Sequence, residues 1–199
     1  MKGIGLFGGS FNPIHKGHIN LALSVKKELS LDKVILIPSG KAPHKSSFEY
    51  ASGEDRLEMC RLAAENFEGI EVSDYELKRP GKSYSVYTAE YFKKLYPNDK
   101  LFLLLGSDML LSFDSWYRFE DIMRNVTLAA VSRFGDDFDK LYKMSDKLSE
   151  YGKVFVVNND SIRVSSSEIR EKIKNNEDLY CYLDQKVVKY IMRKKLYRI

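Results

Sequence analysis

Gly8-Gly9-Ser10-Phe11-Asn12-Pro13-Ile14-His15-Lys16-Gly17-His18 is the stretch on which the reading of this chain turns. It follows an apolar run, Gly3 to Gly9, that reads as a strand. It opens a segment, His15 to Leu29, whose positions 15, 18, 22, 25 and 29 recur on one helical face. Glycines let a backbone approach a phosphate and turn its N–H groups toward it. The amino end of the helix adds a partial positive charge that favours anions. His15 and His18 are three residues apart and so share one side of that helix end, where both imidazoles can donate to phosphoryl oxygens. A purely structural histidine pair is the alternative. Two of the chain's 3 histidines on one face behind a glycine turn favour the anion role. No cysteine or second histidine cluster completes a metal-ligand set around them, and none is expected.

Outward from this stretch, short β-branched and apolar runs alternate with amphipathic segments. Strands are expected at Gly3–Gly9, Lys33–Pro38, Ile70–Leu77, Lys100–Gly106, Thr127–Arg133 and Lys153–Asn158. Helices are expected at His15–Leu29, Glu54–Phe67, Ser83–Tyr96, Asp108–Ser112, Trp116–Asn125, Asp137–Tyr151, Ser165–Asn176 and Asp184–Lys195, with a loop from Gly40 to Gly53. The pattern predicts an α/β fold: a single doubly wound Rossmann-like domain over residues 1–199, with a mainly parallel sheet and C-terminal helices. In such sheets ligands bind beyond the carboxyl ends of the strands, so motifs at strand ends carry the most weight.

Composition agrees and excludes other classes. The chain has 199 residues, 44% hydrophobic and 30% charged, which suits a globular protein and excludes wholly disordered or fibrous chains. Val34–Ile37 and Leu101–Leu105 are the longest apolar runs, far below the ~20 residues of a membrane span. The Gly-broken N-terminal stretch does not read as a secretory signal. Cys60 and Cys181 form no C-x-x-C pair, and a reduced, cytoplasmic setting is expected. The net charge of +4, from 32 basic and 28 acidic residues, suits an anionic small molecule. A nucleic-acid binder shows a denser basic stripe, so no nucleic-acid or membrane partner is expected. Either a monomer or a homo-oligomer is compatible with the sequence.

Further motifs lie at strand and helix ends. Ser165-x-x-Glu168 is a capping box, and Ser166, Ser167 and Arg170 share the same first turns, a serine-rich helix start with an arginine. Gly106-Ser107-Asp108 ends the most apolar strand; Asp108 can accept from ribose hydroxyls, or simply cap the next helix. Trp116 is the sole tryptophan, a core residue or a stacking platform. Ser85 starts a helix, where a carboxylate is favoured. His44-Lys45 lies in the long loop, and Arg133 ends its strand as a phosphate candidate or a surface ion-pair partner. Two motifs are decoys. Gly3-x-Gly5-x-x-Gly8 has only two residues before it, so its glycines lie within the strand and not after it. Lys143-Met144-Ser145-x-Lys147 falls inside a polar helix pattern and reads as a surface coincidence.

GGSFNPIHKGH resembles the HxGH-bearing signature of the nucleotidyltransferase superfamily, and the whole chain resembles bacterial nicotinate-nucleotide adenylyltransferases. The resemblance runs through Leu36-Ile37-Pro38 to Pro43-His44-Lys45, Pro80-Gly81-Lys82-Ser83-Tyr84-Ser85, Leu105-Gly106-Ser107-Asp108, Trp116-Tyr117 and Val164-Ser165-Ser166-Ser167-Glu168-Ile169-Arg170. It implies adenylyl transfer from ATP to nicotinate mononucleotide in NAD biosynthesis, with Mg²⁺ carried by the triphosphate. It implies catalysis by His18 with His15 assisting. It implies ATP contacts from Gly8, Gly9, Ser10, Phe11, Gly106, Asp108, Ser165, Ser166 and Arg170, and acceptor contacts from Asn12, Lys45, Ser85, Trp116 and Arg133. The chain departs from the family in carrying Ser85 and Ser167 where threonine is usual, and Tyr87 where aspartate is common. Rival readings are a nicotinamide mononucleotide or phosphopantetheine adenylyltransferase, and a non-catalytic nucleotide sensor.

Overall fold

The computed structural model describes residues 2–40, 51–132, 138–158 and 164–198. Among these, six strands form one sheet: β1 (Gly3–Gly9), β2 (Lys33–Pro38), β3 (Ile70–Val72), β4 (Lys100–Gly106), β5 (Thr127–Ser132) and β6 (Val154–Asn158). Their order is β3-β2-β1-β4-β5-β6, and all run parallel. The helices between them are α1 (Lys16–Glu28), α2 (Gly53–Ala64), α3 (Tyr75–Lys78), α4 (Ser85–Leu95), α5 (Ser107–Leu111), α6 (Phe119–Asn125), α7 (Phe138–Leu148), α8 (Ser166–Lys174) and α9 (Gln185–Lys194). The expected doubly wound α/β architecture is the one observed. The chain divides into two compact units: Met1–Gly8, Leu21–Ile35 and Tyr84–Ser161 in the first; Gly9–Asn20, Leu36–Ser83 and Ile162–Ile199 in the second.

The first unit is built on β4. Its sequence, KLFLLLG, is buried at every position after Lys100, as a central parallel strand with covered faces must be. Gly3 of β1 pairs with Lys100 and Leu6 with Leu103, while Phe102 to Gly106 pair with Thr127 to Val131 of β5. Gly5 is glycine because the packing leaves no room for more. A Cβ there would lie 3.0 Å from Leu104 Cδ1 and 3.0 Å from Val34 Cγ2. All three glycines of the Gly3-x-Gly5-x-x-Gly8 pattern thus lie within β1, Gly3 and Gly5 closely packed, and do not form a dinucleotide turn after a strand. Helix α4 buries Val86, Ala89 and Phe92, spaced three apart on one face, and α6 buries Ile122 and Met123. The Lys143–Lys147 stretch lies in α7, where Lys147 pairs with Asp114 at 2.6 Å.

The second unit gathers Gly9–Asn20 with α2, β3, α3, α8 and α9. Ser52 caps α2 by accepting from Asp55 N, and Asp184 caps α9 by accepting from Lys186 N. Helix α9 buries Val187, Val188, Tyr190 and Ile191, and it is fastened to α2 by Tyr190 Oη donating to Asp55 at 2.8 Å. The Lys186–Glu65 ion pair, at 2.7 Å, adds a second tie.

Two expected elements are corrected. The strand expected over Ile70–Leu77 ends at Val72, and Tyr75–Lys78 turns into α3. Ser73 and Asp74 interrupt the apolar alternation, and Asp74 pairs with Lys78 at 2.9 Å across one helical turn. The helix expected from Trp116 starts at Phe119, because Phe113–Ser115 form a 3₁₀ turn and Arg118 adopts a left-handed φ of 56°.

Candidate active site

In the second unit, the backbone of Gly9 to Pro13 is held from several directions. Ser39 N donates to Gly9 O at 2.8 Å. Phe11 has φ 44°, a left-handed conformation that a bulky residue adopts only when its surroundings enforce it. Its ring lies over Gly9, where a Cβ would come within 2.9 Å of it. Glycine at position 9 is therefore required by this close approach.

Arg56 supplies much of the enforcement. It is 3% exposed, and its guanidinium donates to Ser10 O at 2.7 Å and Ser39 O at 2.7 Å, with Nε donating to Ala51 O at 3.3 Å. One planar fork joins three segments, a geometry suited to arginine. Sequence reasoning did not single out Arg56, although a signal was present. Arg56, Met59, Cys60 and Ala63 lie at i, i+3, i+4 and i+7 of α2, all buried, so a cation stands on the apolar face of the helix.

Asn12 is the second anchor. It is 1% exposed, and its Oδ1 accepts from Ala51 N at 3.0 Å and from Tyr197 Oη at 2.9 Å. Its backbone oxygen accepts from Arg170 at 3.0 Å. The side-chain oxygen of Asn12, a residue expected to contact the acceptor, is thus engaged by two protein donors. Tyr197 also went unnoticed in the sequence, where nothing local marks it.

His15 and His18 come together as the i, i+3 spacing requires. The rings stack at 3.6 Å with 27° between planes, and Phe11 meets His18 edge-on at 5.0 Å. His15 N donates to His18 Nδ1 at 3.2 Å. A neutral imidazole whose Nδ1 accepts carries its proton on Nε2, so this bond makes Nε2–H the donor of His18. Helix α8 presents its amino end in the same unit. The full capping box is formed, with Ser165 N donating to Glu168 at 2.6 Å and Glu168 N donating to Ser165 Oγ at 3.2 Å. Hydrogen bonding from the Ser165 side chain, and then from its backbone N–H, holds the Glu168 carboxyl below the usual glutamate range. Ser166 Oγ donates to Pro13 O at 2.9 Å, and Arg170 also reaches Ser167 Oγ at 3.1 Å. Gly9, Ser10, Phe11, Asn12, His15, His18, Ser165, Ser166 and Arg170 all belong to this unit.

The first unit carries Gly8, Ser85, Gly106, Asp108 and Trp116. Gly106 is the N-cap of α5. Asp108 stands at the second helical position and is exposed, so the cap position belongs to Gly106 and not to Asp108. Ser85 is the first residue of α4, whose N-cap, Tyr84, makes no side-chain capping bond. Trp116 is half-buried against Phe113, with ring centroids 5.1 Å apart, and is not a core residue. Tyr117 beside it packs on Tyr84 at 4.8 Å and Tyr87 at 6.5 Å. Arg118 ties the same turn to α4 through Glu90 at 3.0 Å, and to Asp121 at 2.6 Å. Lys45 and Arg133 lie outside the described residues.

A strand-end glycine, a paired imidazole and a capped helix start within the second unit are groups able to donate to phosphate oxygens. A family model described as cytidylyltransferase-like matches residues 6–172. The chain is 38% identical over 200 residues to a protein of Clostridium tetani named "Probable nicotinate-nucleotide adenylyltransferase", covering 100% of both chains. A Shewanella frigidimarina protein of the same name is 33% identical over 210 residues, covering 98% of this chain and 99% of the relative. The chain therefore belongs to the cytidylyltransferase-like nucleotidyltransferases and, among them, to the nicotinate-nucleotide adenylyltransferase family. A solved structure of Plasmodium falciparum nicotinic acid mononucleotide adenylyltransferase complexed with NaAD has the same fold, with a TM-score of 0.80 and 21% identity over 99% of this chain and 98% of that one. The same parasite protein complexed with APC gives 0.78 and 20%, with the same coverage.

Proposed function

We propose that the protein transfers the adenylyl group of ATP to nicotinate mononucleotide, forming nicotinate adenine dinucleotide and pyrophosphate in NAD biosynthesis. Residues 1–199 act as one nucleotidyltransferase domain, in the cytoplasm. The acceptor's 5′-phosphate oxygen attacks the α-phosphorus, and the bond from that phosphorus to the α,β-bridging oxygen breaks. The nucleophile is already ionised, so the protein's task is alignment and stabilisation of charge on the phosphoryl oxygens.

The observation that carries this reading is the His15–His18 pair on the rigid Gly9–Pro13 turn, with the His15 N–H fixing Nδ1 of His18 as acceptor. That arrangement points the chemistry to His18 Nε2–H, which donates to the α- or β-phosphoryl oxygens as their charge grows. Gly8, Gly9, Ser10 and Phe11 supply backbone around the nucleotide. The amino end of α8, with Ser165, Ser166 and Arg170, receives the β- and γ-phosphates. To do so Ser166 and Arg170 add phosphate contacts to the bonds they make with the turn. Mg²⁺ enters as part of the ATP substrate and keeps several waters, so no carboxylate cage is needed. Gly106 and Asp108 serve the ribose. Ser85, at the start of α4, receives the pyridine carboxylate, and Trp116 stacks on the ring. Lys45 and Arg133 are proposed phosphate contacts of the acceptor. Asn12 serves this site by holding the turn.

The test is pyrophosphate release from MgATP with nicotinate mononucleotide, nicotinamide mononucleotide or phosphopantetheine as acceptor. Preference for the nicotinate nucleotide is expected. Preference for another acceptor discards the Ser85 assignment and leaves the ATP side in place. ATP binding with no release from any acceptor makes the protein a nucleotide sensor.

A further inference from the structure

Tyr197 stands 185 residues from Asn12 in sequence, yet its hydroxyl donates to Asn12 Oδ1 at 2.9 Å. Burial of that hydroxyl raises its pKa well above the ordinary tyrosine value, with Arg170 and Arg56 pulling the other way by less. It is therefore a neutral donor at any working pH. The same oxygen accepts from Ala51 N, and the backbone oxygen of Asn12 accepts from Arg170, so three segments meet at one residue of the turn. Asn12 adjoins Phe11, whose φ of 44° stores strain and whose ring edges onto His18 at 5.0 Å. A residue held in such a conformation relaxes when the groups around it stop over-determining it. Relaxation at Asn12 then passes through Phe11 to the imidazole of His18.

We infer that Tyr197 is a positioning residue for adenylyl transfer: its hydroxyl holds Asn12, and through Phe11 it fixes the ring of His18 in the reactive orientation. Helix α9, fastened to α2 by the Tyr190–Asp55 and Lys186–Glu65 contacts, is the rigid base from which Tyr197 reaches the turn. The hydroxyl of Tyr197 is taken up by Asn12, so the role assigned to it acts through Asn12 and not on a substrate. The inference rests on the adenylyl-transfer reading above, and it makes a structural claim that can be measured separately.

Tyr197→Phe removes one hydroxyl and keeps the ring. With MgATP and nicotinate mononucleotide, kcat should fall about tenfold while both KM values stay within about threefold, the signature of misalignment and not of lost binding. In an Asn12→Ala background the same substitution should change kcat by less than about twofold, because the shared oxygen is gone. Amide hydrogen exchange gives a readout that does not depend on activity. Exchange over Ser10–His18 should quicken in Tyr197→Phe while β4 keeps its protection; quickening everywhere means a general structural role and overturns the inference. Unchanged kcat and unchanged exchange also overturn it. Faster exchange confined to the turn, in a protein whose wild type turns over no acceptor, sustains the tether and sinks the adenylyl-transfer reading instead. Should Tyr197→Phe not fold, Asn12→Ala decides: a lower kcat at unchanged KM supports positioning, and a raised acceptor KM at unchanged kcat contradicts it.

Discussion

The Gly9–His18 turn of one unit carries His15 and His18, the Phe113–Phe119 turn of the other carries Trp116, and the two are held by different means. The first is fixed by largely buried hydrogen bonds that converge from distant parts of the chain: Arg56 on Ser10 and Ser39, Tyr197 and Ala51 on the buried Asn12, and the half-buried Ser166 on Pro13. The second is seated on the buried ring of Phe113 and is otherwise held at the surface. Tyr117 is 51% exposed where it packs on Tyr84, and the Arg118–Glu90 pair lies in solvent. Buried bonds are costly to break, because the abandoned partner loses both protein and water. Exposed pairs are screened and exchange readily with water. Under the proposed function, the more rigid turn is the one that would stabilise charge, and the more adjustable turn is the one that would admit a flat ring.

This contrast orders what substitutions should do. Arg56→Met strands three backbone oxygens and should lower the unfolding free energy by about 3 kcal/mol or more. Denaturant unfolding measures it, and a loss below about 1 kcal/mol would show that the first turn is not held as described. Trp116→Ala removes a stacking face worth roughly a kcal/mol, so the acceptor KM should rise about tenfold with the fold intact. A greater rise in the KM for ATP would assign the tryptophan to the wrong substrate.

Glu168 sharpens the comparison by pH. Its carboxyl is held below its ordinary value by hydrogen bonds from Ser165, so its capping contribution is complete at neutral pH. The contribution is lost as pH falls through the folded-state pKa, below the ordinary 4.5. Glu168→Gln should therefore lose less stability than wild type between about pH 5 and about pH 3, as seen in thermal unfolding. A steeper acid loss in the variant would reverse the assigned sign. The smallest effect belongs to Arg118→Ala. Its exposed ion pairs should leave the melting temperature almost unchanged and raise the acceptor KM less than about threefold. A cooperative loss of stability would mean that the surface turn is as deeply fixed as the other.

The sequence displays these two regions unequally. Strands β1, β2 and β4 are legible to the residue because continuous β-branched or leucine-rich runs end at glycine or proline. The His15–His18 pair and the α8 capping box follow from spacing alone, since partners three apart meet on any helix. Residues 70–78 mislead because an edge strand of three residues leaves too little alternation to separate it from the helix that follows. Arg56 and Tyr197 escape for another reason. Their partners lie 46 and 185 residues away, and a hydrogen bond across that separation leaves no local pattern. The roles of Trp116 and Ser85 come from resemblance, and their positions, one half-buried and one opening a helix, are compatible with it.

The central claim is that His18 stabilises the transition state of adenylyl transfer, and steady-state kinetics of His18→Ala against wild type tests it most directly. The account predicts a fall in kcat of about 10²–10³-fold with the KM for ATP within about threefold. An equal weakening of ATP binding, or an unchanged kcat, would contradict it.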